Sequence, residues 1–308
     1  MQGPSALTRV RALLFRAAYN LPVTLGLARG LFARRGLAVE IAYTRGSQMV
    51  THGLLAGDYD LGVLAADDVI YEVETHDADL FMFMGLHAGI LTLVARPDIR
   101  TCRDVAGRRL GVDDLASGFA LVARRILHAA GVNHTEYETV AAGGHEHRAR
   151  ALLDGTIDVA LLTPPFTMEA ATRGFTTLAR ARDYLPVYQA SCGVATRRWA
   201  RAHEATLVAY ITAYRESVGW ALAPEHRAEA TSHLAEQFGL SERQAALTYA
   251  ALADPGDGLF RDAAVDLAGV QTVLDLRSDA GLLPAAPRAL VRYVDLRYFE
   301  QSSPPGAR

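Results

Sequence analysis

The sequence contains no lysine; all 31 of its basic residues are arginine. Schiff-base chemistry by a lysine amine is thereby excluded. Cysteine is scarce as well: Cys102 and Cys192 stand alone and far apart, which gives neither a disulfide framework nor the ligand spacing of a zinc site. Net charge is small, −3 from 31 basic and 34 acidic residues in mixed order, so nucleic acid and anionic lipid find no electrostatic footprint. No long hydrophobic run exists either. The longest apolar stretch, residues 80–95, is interrupted by Gly85, His87 and Gly89 and falls short of the roughly 20 residues a spanning helix needs. It reads as buried strand, with no membrane span. Residues 1–10 hold no apolar signal core before a strand-like segment at 11–18. As it stands the sequence reads as cytoplasmic, or as periplasmic or cell-surface if an export signal has been removed.

What is present is 308 residues of 50% apolar content, enough for a large core in one big domain or in two lobes sharing a hinge. An internal repeat decides between these. LLAGDYDLGVLA at 54–65 recurs as LLDGTIDVALLT at 152–163, placing Asp60 and Asp158 in register. Each copy reads as a helix closed by a glycine, a short turn, and a strand of the fully buried kind found in parallel sheets. Upstream, a helix ending at Gly36 leads into a strand at 37–43, and a helix at 119–130 closed by Gly131 leads into a strand at 135–140. The strand at 11–18 with its helix from Leu21 answers the strand at 109–112 with its helix from Gly118. The unit is β-α-β-α-β, written twice with right-handed crossovers. Ligands of such open sheets sit beyond the carboxyl ends of the strands, so two facing copies make a cleft.

After Arg173 a strand-like stretch at 187–195 is followed by helices at 199–222, 225–238 and 242–252, then two more within 264–300 separated at Leu283-Pro284. The tail 301–308 reads as disordered. Apolar crossings near 87–94 and 188–195 are placed as hinges. Lobe one is then 1–90 plus 195–308, and lobe two 91–194.

Four motifs stand in order: GLFARRGLAVE at 30–40, LAGDYDLG at 55–62, RDVAGRRLGV at 103–112 and DGTID at 154–158. On these the sequence resembles, from about Arg11 to Tyr298, the nitrate/sulfonate/taurine substrate-binding and thiamine-pyrimidine-synthase-like family. The resemblance implies an α/β, two-lobed type II periplasmic-binding-protein (Venus-flytrap) fold, each lobe a mostly parallel sheet flanked by helices, with two hinge crossings. It implies a small-molecule ligand and an ABC importer complex as partners. It also reaches cytoplasmic enzymes of the same scaffold, among them thiamine-pyrimidine synthases, dihydroxyphthalate decarboxylases and aromatic-sulfinate desulfinases. Fold does not choose between them. Where thiamine-pyrimidine synthases carry the histidine they consume, this sequence has aspartate, and it lacks their Cys-rich motif. Where desulfinases place a cleft cysteine, it has Tyr19 and Asn20.

Loops after the repeated strands supply the candidate ligand contacts. Tyr19 and Asn20 follow the first strand, and Asn20 also suits a helix cap. Ser47 and Gln48 follow the second, at a helix N-terminus able to hold an anion. Ala66, Asp67 and Asp68 follow the third; a cleft carboxylate there favours a ligand with an amine or ring N–H, or serves as a base if burial raises its pKa. His87 lies in the first crossing between Gly85 and Gly89, where a satisfied core histidine is the plainer reading. In lobe two the counterparts are Ser117 and Gly118, Gly144, and Thr163 and Pro164, with Tyr188 and Gln189 in the second crossing. His145 and His147 invite a metal reading, but alternate residues diverge around a helix and no third ligand accompanies them, so neither metal nor cofactor is expected. The sequence therefore predicts a receptor for a sulfonate, carboxylate or small aromatic or heterocyclic solute. The alternative is a cofactor-independent decarboxylase-like enzyme using His87 with Asp67 or Asp68.

Overall fold

The computed structural model describes residues 6–115, 117–283 and 289–302. The first β-α-β-α-β unit comprises β1 (Thr8–Phe15), α1 (Leu21–Ala28), α2 (Leu31–Arg34), β2 (Leu37–Thr44), α3 (Ser47–Ala56) and β3 (Leu61–Ala65), extended by α4 (Ala66–His76) and β4 (Leu80–His87). After β5 (Thr92–Ala95), the second contains β6 (Arg109–Val112), α5 (Gly118–Ala129), β7 (Glu138–Ala141), α6 (His145–Leu153) and β8 (Val159–Leu162). It is extended by α7 (Phe166–Thr172) and β9 (Thr176–Arg180). The chain returns through β10 (Ser191–Thr196) to α8 (Arg197–Ala202), α9 (Glu204–Leu222), α10 (Arg227–Phe238), α11 (Glu242–Leu252), α12 (Leu267–Asp279) and α13 (Arg297–Gln301).

Two five-stranded sheets result, ordered β2-β1-β3-β10-β4 and β7-β6-β8-β5-β9. Position for position the orders correspond. In each sheet the first three strands are parallel. In each, the fourth strand is antiparallel and arrives directly from the other sheet. Residues 88–91 and 181–190 make these two crossings.

The duplication extends to side chains. Arg11 offers its backbone N–H, Nε and Nη2 to Asp60 and a second Nη2 bond to the Gly57 carbonyl. Arg109 makes the same four contacts with Asp158 and Gly155. A bidentate clasp of this kind ties the first strand of each unit to the turn before its third strand, which explains why the aspartate persists in both copies. Gly57 and Gly155 close the preceding helices with φ of 79° and 73°, a conformation costly to any residue with a Cβ.

Several boundaries differ from expectation. The apolar run at 80–95 is two strands, β4 and β5, in different sheets. The expected helix at 199–222 is broken at His203 into α8 and α9. β9, at a sheet edge and half exposed, has too little apolar periodicity to stand out in the sequence. Of the two helices expected within 264–300, the second shrinks to the five residues of α13, and Pro284 lies outside the described residues. In the tail, Gln301 ends α13 and Ser302 is buried, while 303–308 lie outside the described residues.

Candidate functional site

The carboxyl ends of β1 and β3 face those of β6, β7 and β8, and the loops that follow them meet. Phe15, Tyr19, Asp68 and Ser191 from one side and Asp113, Phe119, Gly144, His145 and Arg148 from the other enclose a cavity. Its volume is about 10 Å³, room for about one water molecule. The lobes are therefore closed. Backbone bonds join them, from the Ala18 N–H to the Pro164 carbonyl at 3.3 Å and from the Gly144 N–H to the Arg45 carbonyl at 3.1 Å.

Arg148, one turn into α6, is 1% exposed. Its Nε donates to the Leu161 carbonyl at 3.2 Å, Nη1 to the Gly143 carbonyl at 2.8 Å, and Nη2 to His145 Nδ1 at 2.9 Å. Asp113 Oδ1 lies 3.6 Å from Nη1 and completes an ion pair. Every arm of the guanidinium is thus held by lobe two itself. Since Arg148 can only donate, His145 accepts at Nδ1 and is neutral, and burial beside that cation pushes its pKa well down.

Asp113 is oriented by the Ser117 hydroxyl, which donates to it while capping α5 by accepting from the Ala120 N–H at 3.3 Å. Opposite stands Asp68, buried at the start of α4. Burial, reinforced by Asp113 and Asp67, drives its carboxyl well above the ordinary range and favours its protonated form. Aromatic groups form the remaining wall. The Tyr19 ring is 4.8 Å from His87 and 6.2 Å from His145, and Phe119 is 5.5 Å from His145. Ser191 lines the cavity beside Tyr19.

Among the ligand contacts singled out in the sequence, Tyr19, Asp68 and Gly144 line the cavity, and His145, raised there only for a metal, lines it too. Ser117 supports it through Asp113. His87 lies behind Tyr19, its Nδ1 accepting from the Gly89 N–H at 3.2 Å and its Nε2 buried without a partner. Burial alone lowers its pKa to about 3. Thr163 is buried with its hydroxyl unpartnered, and Pro164 contributes the carbonyl that joins the lobes. Asp67 turns away from the cavity and binds Arg277 Nη1 with both oxygens at 2.8 Å. Gly118 of the other lobe packs on it so tightly that a Cβ there would lie 2.2 Å from the Asp67 Cβ.

The rest are engaged in the scaffold. Asn20 donates to the Phe15 carbonyl at 2.6 Å and makes no side-chain cap to α1. The Ala66 N–H bonds the Ala190 carbonyl. Gln189 bridges the Ser191 carbonyl and the Asp266 N–H, at 2.7 and 2.9 Å. Tyr188 packs against Gly89. Ser47 is half-buried and Gln48 exposed, both outside the cavity lining. His147 is exposed while His145 is buried, and among the described residues no group of three or more His, Cys, Asp or Glu could hold a metal. Sequence reading missed Phe15, Arg148 and Ser191. The one available signal for Arg148 was its spacing of three from His145, which puts both on one helix face.

Comparison with known proteins bears on this arrangement. The family model described as NMT1/THI5 like matches residues 17–228. No curated protein matches the chain. Among solved structures, a protein from Bordetella bronchiseptica RB50 is 18% identical with a TM-score of 0.79, over 98% of each chain. The alkanesulfonate-binding protein SsuA from Xanthomonas axonopodis pv. citri, bound to MOPS, is 19% identical with a TM-score of 0.75, over 92% of this chain and 96% of that one. The periplasmic nitrate-binding protein NrtA from Synechocystis PCC 6803 is 11% identical with a TM-score of 0.80, over 96% and 88%. These likenesses establish a two-lobed periplasmic-binding-protein fold.

Proposed function

The chain belongs to the NMT1/THI5 like family, and from that premise we propose that it is a hinged receptor whose lobes open to admit one small organic solute and close around it. The solute is a ring compound bearing N–H donors, in preference to a sulfonate or a carboxylate. The observation that carries this is the state of Arg148. It is the cation of the cavity, yet its nitrogens are committed to two carbonyls and His145, and Asp113 already balances its charge. An anionic ligand would meet the Asp113 carboxylate, and the guanidinium beside it already shares its charge with that carboxylate and gives three of its five N–H donors to lobe two. A flat ring suits the Tyr19, Phe119 and His145 wall, and its N–H groups suit Asp113.

In this role the protein hands its solute to an ABC importer, as a structural neighbour from Staphylococcus aureus named the ligand binding component of an ABC-type import system suggests, and works in the periplasm or at the cell surface, as the periplasmic nitrate-binding neighbour suggests. Among the described residues no helix is long and apolar enough to cross a membrane. The decarboxylase-like reading has weaker support. His87 stays neutral down to about pH 3 and Asp67 is bound to Arg277, so of the three residues that reading needs Asp68 alone lines the cavity.

A thermal-shift screen separates these readings. Pyrimidines and related N–H heterocycles should raise the melting temperature, since ligand at 100 times its Kd adds about 2.7 kcal/mol. A larger shift with sulfonates or aromatic carboxylates would refute the ligand class. No shift with any of them, or turnover of a stabilising compound that H87A abolishes without loss of affinity, would refute the receptor.

A further inference from the structure

Outside the cleft, a groove of about 480 Å³ runs between α5 of the second lobe and the end of α12, which also reaches α4 of the first through Arg277. Leu121, Arg124, Arg125 and His128 recur at spacings of three and four, so one face of α5 supplies one wall, and His134 continues it. Leu276 and Asp279 form the other. Two guanidiniums and two imidazoles thus face a single carboxylate.

Several surface arginines elsewhere are paired. Arg9 meets Glu40, Arg29 meets Glu229, Arg96 meets Asp98 and Arg182 meets Asp254. Among the described residues Arg124 and Arg125 have no hydrogen bond or ion pair. Arg124 is half-buried, and its Nε is shielded from water without an acceptor. A partly desolvated cation left without a counter-charge is unfavourable unless an anion joins it.

We infer that this groove is a second ligand site, distinct from the cleft, that binds a small phosphate ester. The guanidinium forks of Arg124 and Arg125 match phosphoryl oxygens, His128 is one turn away from both, and Leu121 and Leu276 provide an apolar surface for the organic part. A volume of this size accommodates a metabolite-sized ligand.

The test is isothermal titration of the full chain with inorganic phosphate and with phenyl phosphate. Phenyl phosphate should bind several-fold more tightly than inorganic phosphate, and both should weaken when salt rises from about 0.05 to 0.3 M. R124Q/R125Q should reduce affinity at least tenfold. R125Q alone, at an exposed position that leaves the fold intact, should reduce it several-fold. Y19F, a conservative change in the cleft lining, should leave it unchanged. Absence of binding at low salt, equal binding of the two probes, an unaffected R125Q variant, or loss of binding in Y19F, which would place the anion in the cleft, each overturns the proposal.

Discussion

Arg277→Met probes the most deeply buried charge pair outside the cleft. Arg277 and Asp67 are each 1% exposed, and the guanidinium also lies 5.2 Å over the Tyr71 ring. Burial outweighs the attraction of Arg277, so the Asp67 carboxyl is raised to about 6 from its ordinary 3.8. The folded state therefore binds this proton more tightly than the unfolded state. The contribution is fully present below pH 3.8 and is lost as pH rises through 6, about 3 kcal/mol in all at 1.36 kcal/mol per unit. Methionine roughly fills the space of arginine but leaves the carboxylate alone. Breaking a buried pair from one side costs about 3–5 kcal/mol, which for a chain of this size lowers Tm by roughly 6–15 °C at pH 7. At pH 5 Asp67 is protonated in parent and variant alike. The deficit should then fall to about 1–2 kcal/mol for the lost hydrogen bonding and ring contact. Urea denaturation at both pH values, at one ionic strength, measures this. A variant as stable as the parent at pH 7, or one whose deficit is the same at pH 5, refutes the reasoning.

Gly118→Ala tests closure. The methyl would lie 2.2 Å from the Asp67 Cβ, so α5 must retreat from α4, although alanine suits the helix itself. Affinity for the cleft ligand should fall at least tenfold and small-angle scattering should show a larger radius of gyration; retained affinity with an unchanged profile contradicts the closed geometry. Asp158→Asn tests the duplicated clasp. Arg109 holds the Asp158 carboxyl below its ordinary range, so its contribution is present above about pH 4 and lost as acid protonates it. Thermal melts should show the variant destabilised at pH 7 with a deficit that shrinks as pH falls below 4, and an equal deficit throughout would exclude the ion pair as the cause.

The duplicated architecture was readable because its cues are local. Asp60 and Asp158, the helix-closing Gly57 and Gly155, and the buried strands after them recur with one spacing, and each is set by chain geometry within a few residues. The cleft was legible to the extent that loops after parallel strands converge, which brought out Tyr19, Asp68, Ser117 and Gly144. Its chemistry was not. Asp67 and Asp68 are adjacent in sequence, yet one is neutralised by Arg277 from 210 positions away and the other faces Asp113. Arg148 sits between exposed His147 and Arg150, and beyond its spacing of three from His145 nothing in HEHRAR distinguishes the buried arginine from the exposed one. Sequence alone determined the fold and the loops that line the candidate cleft, because turns, caps and periodicity act over short spans of chain. Only the tertiary structure decided which charges are paired, buried or free, because those depend on groups brought together from distant segments.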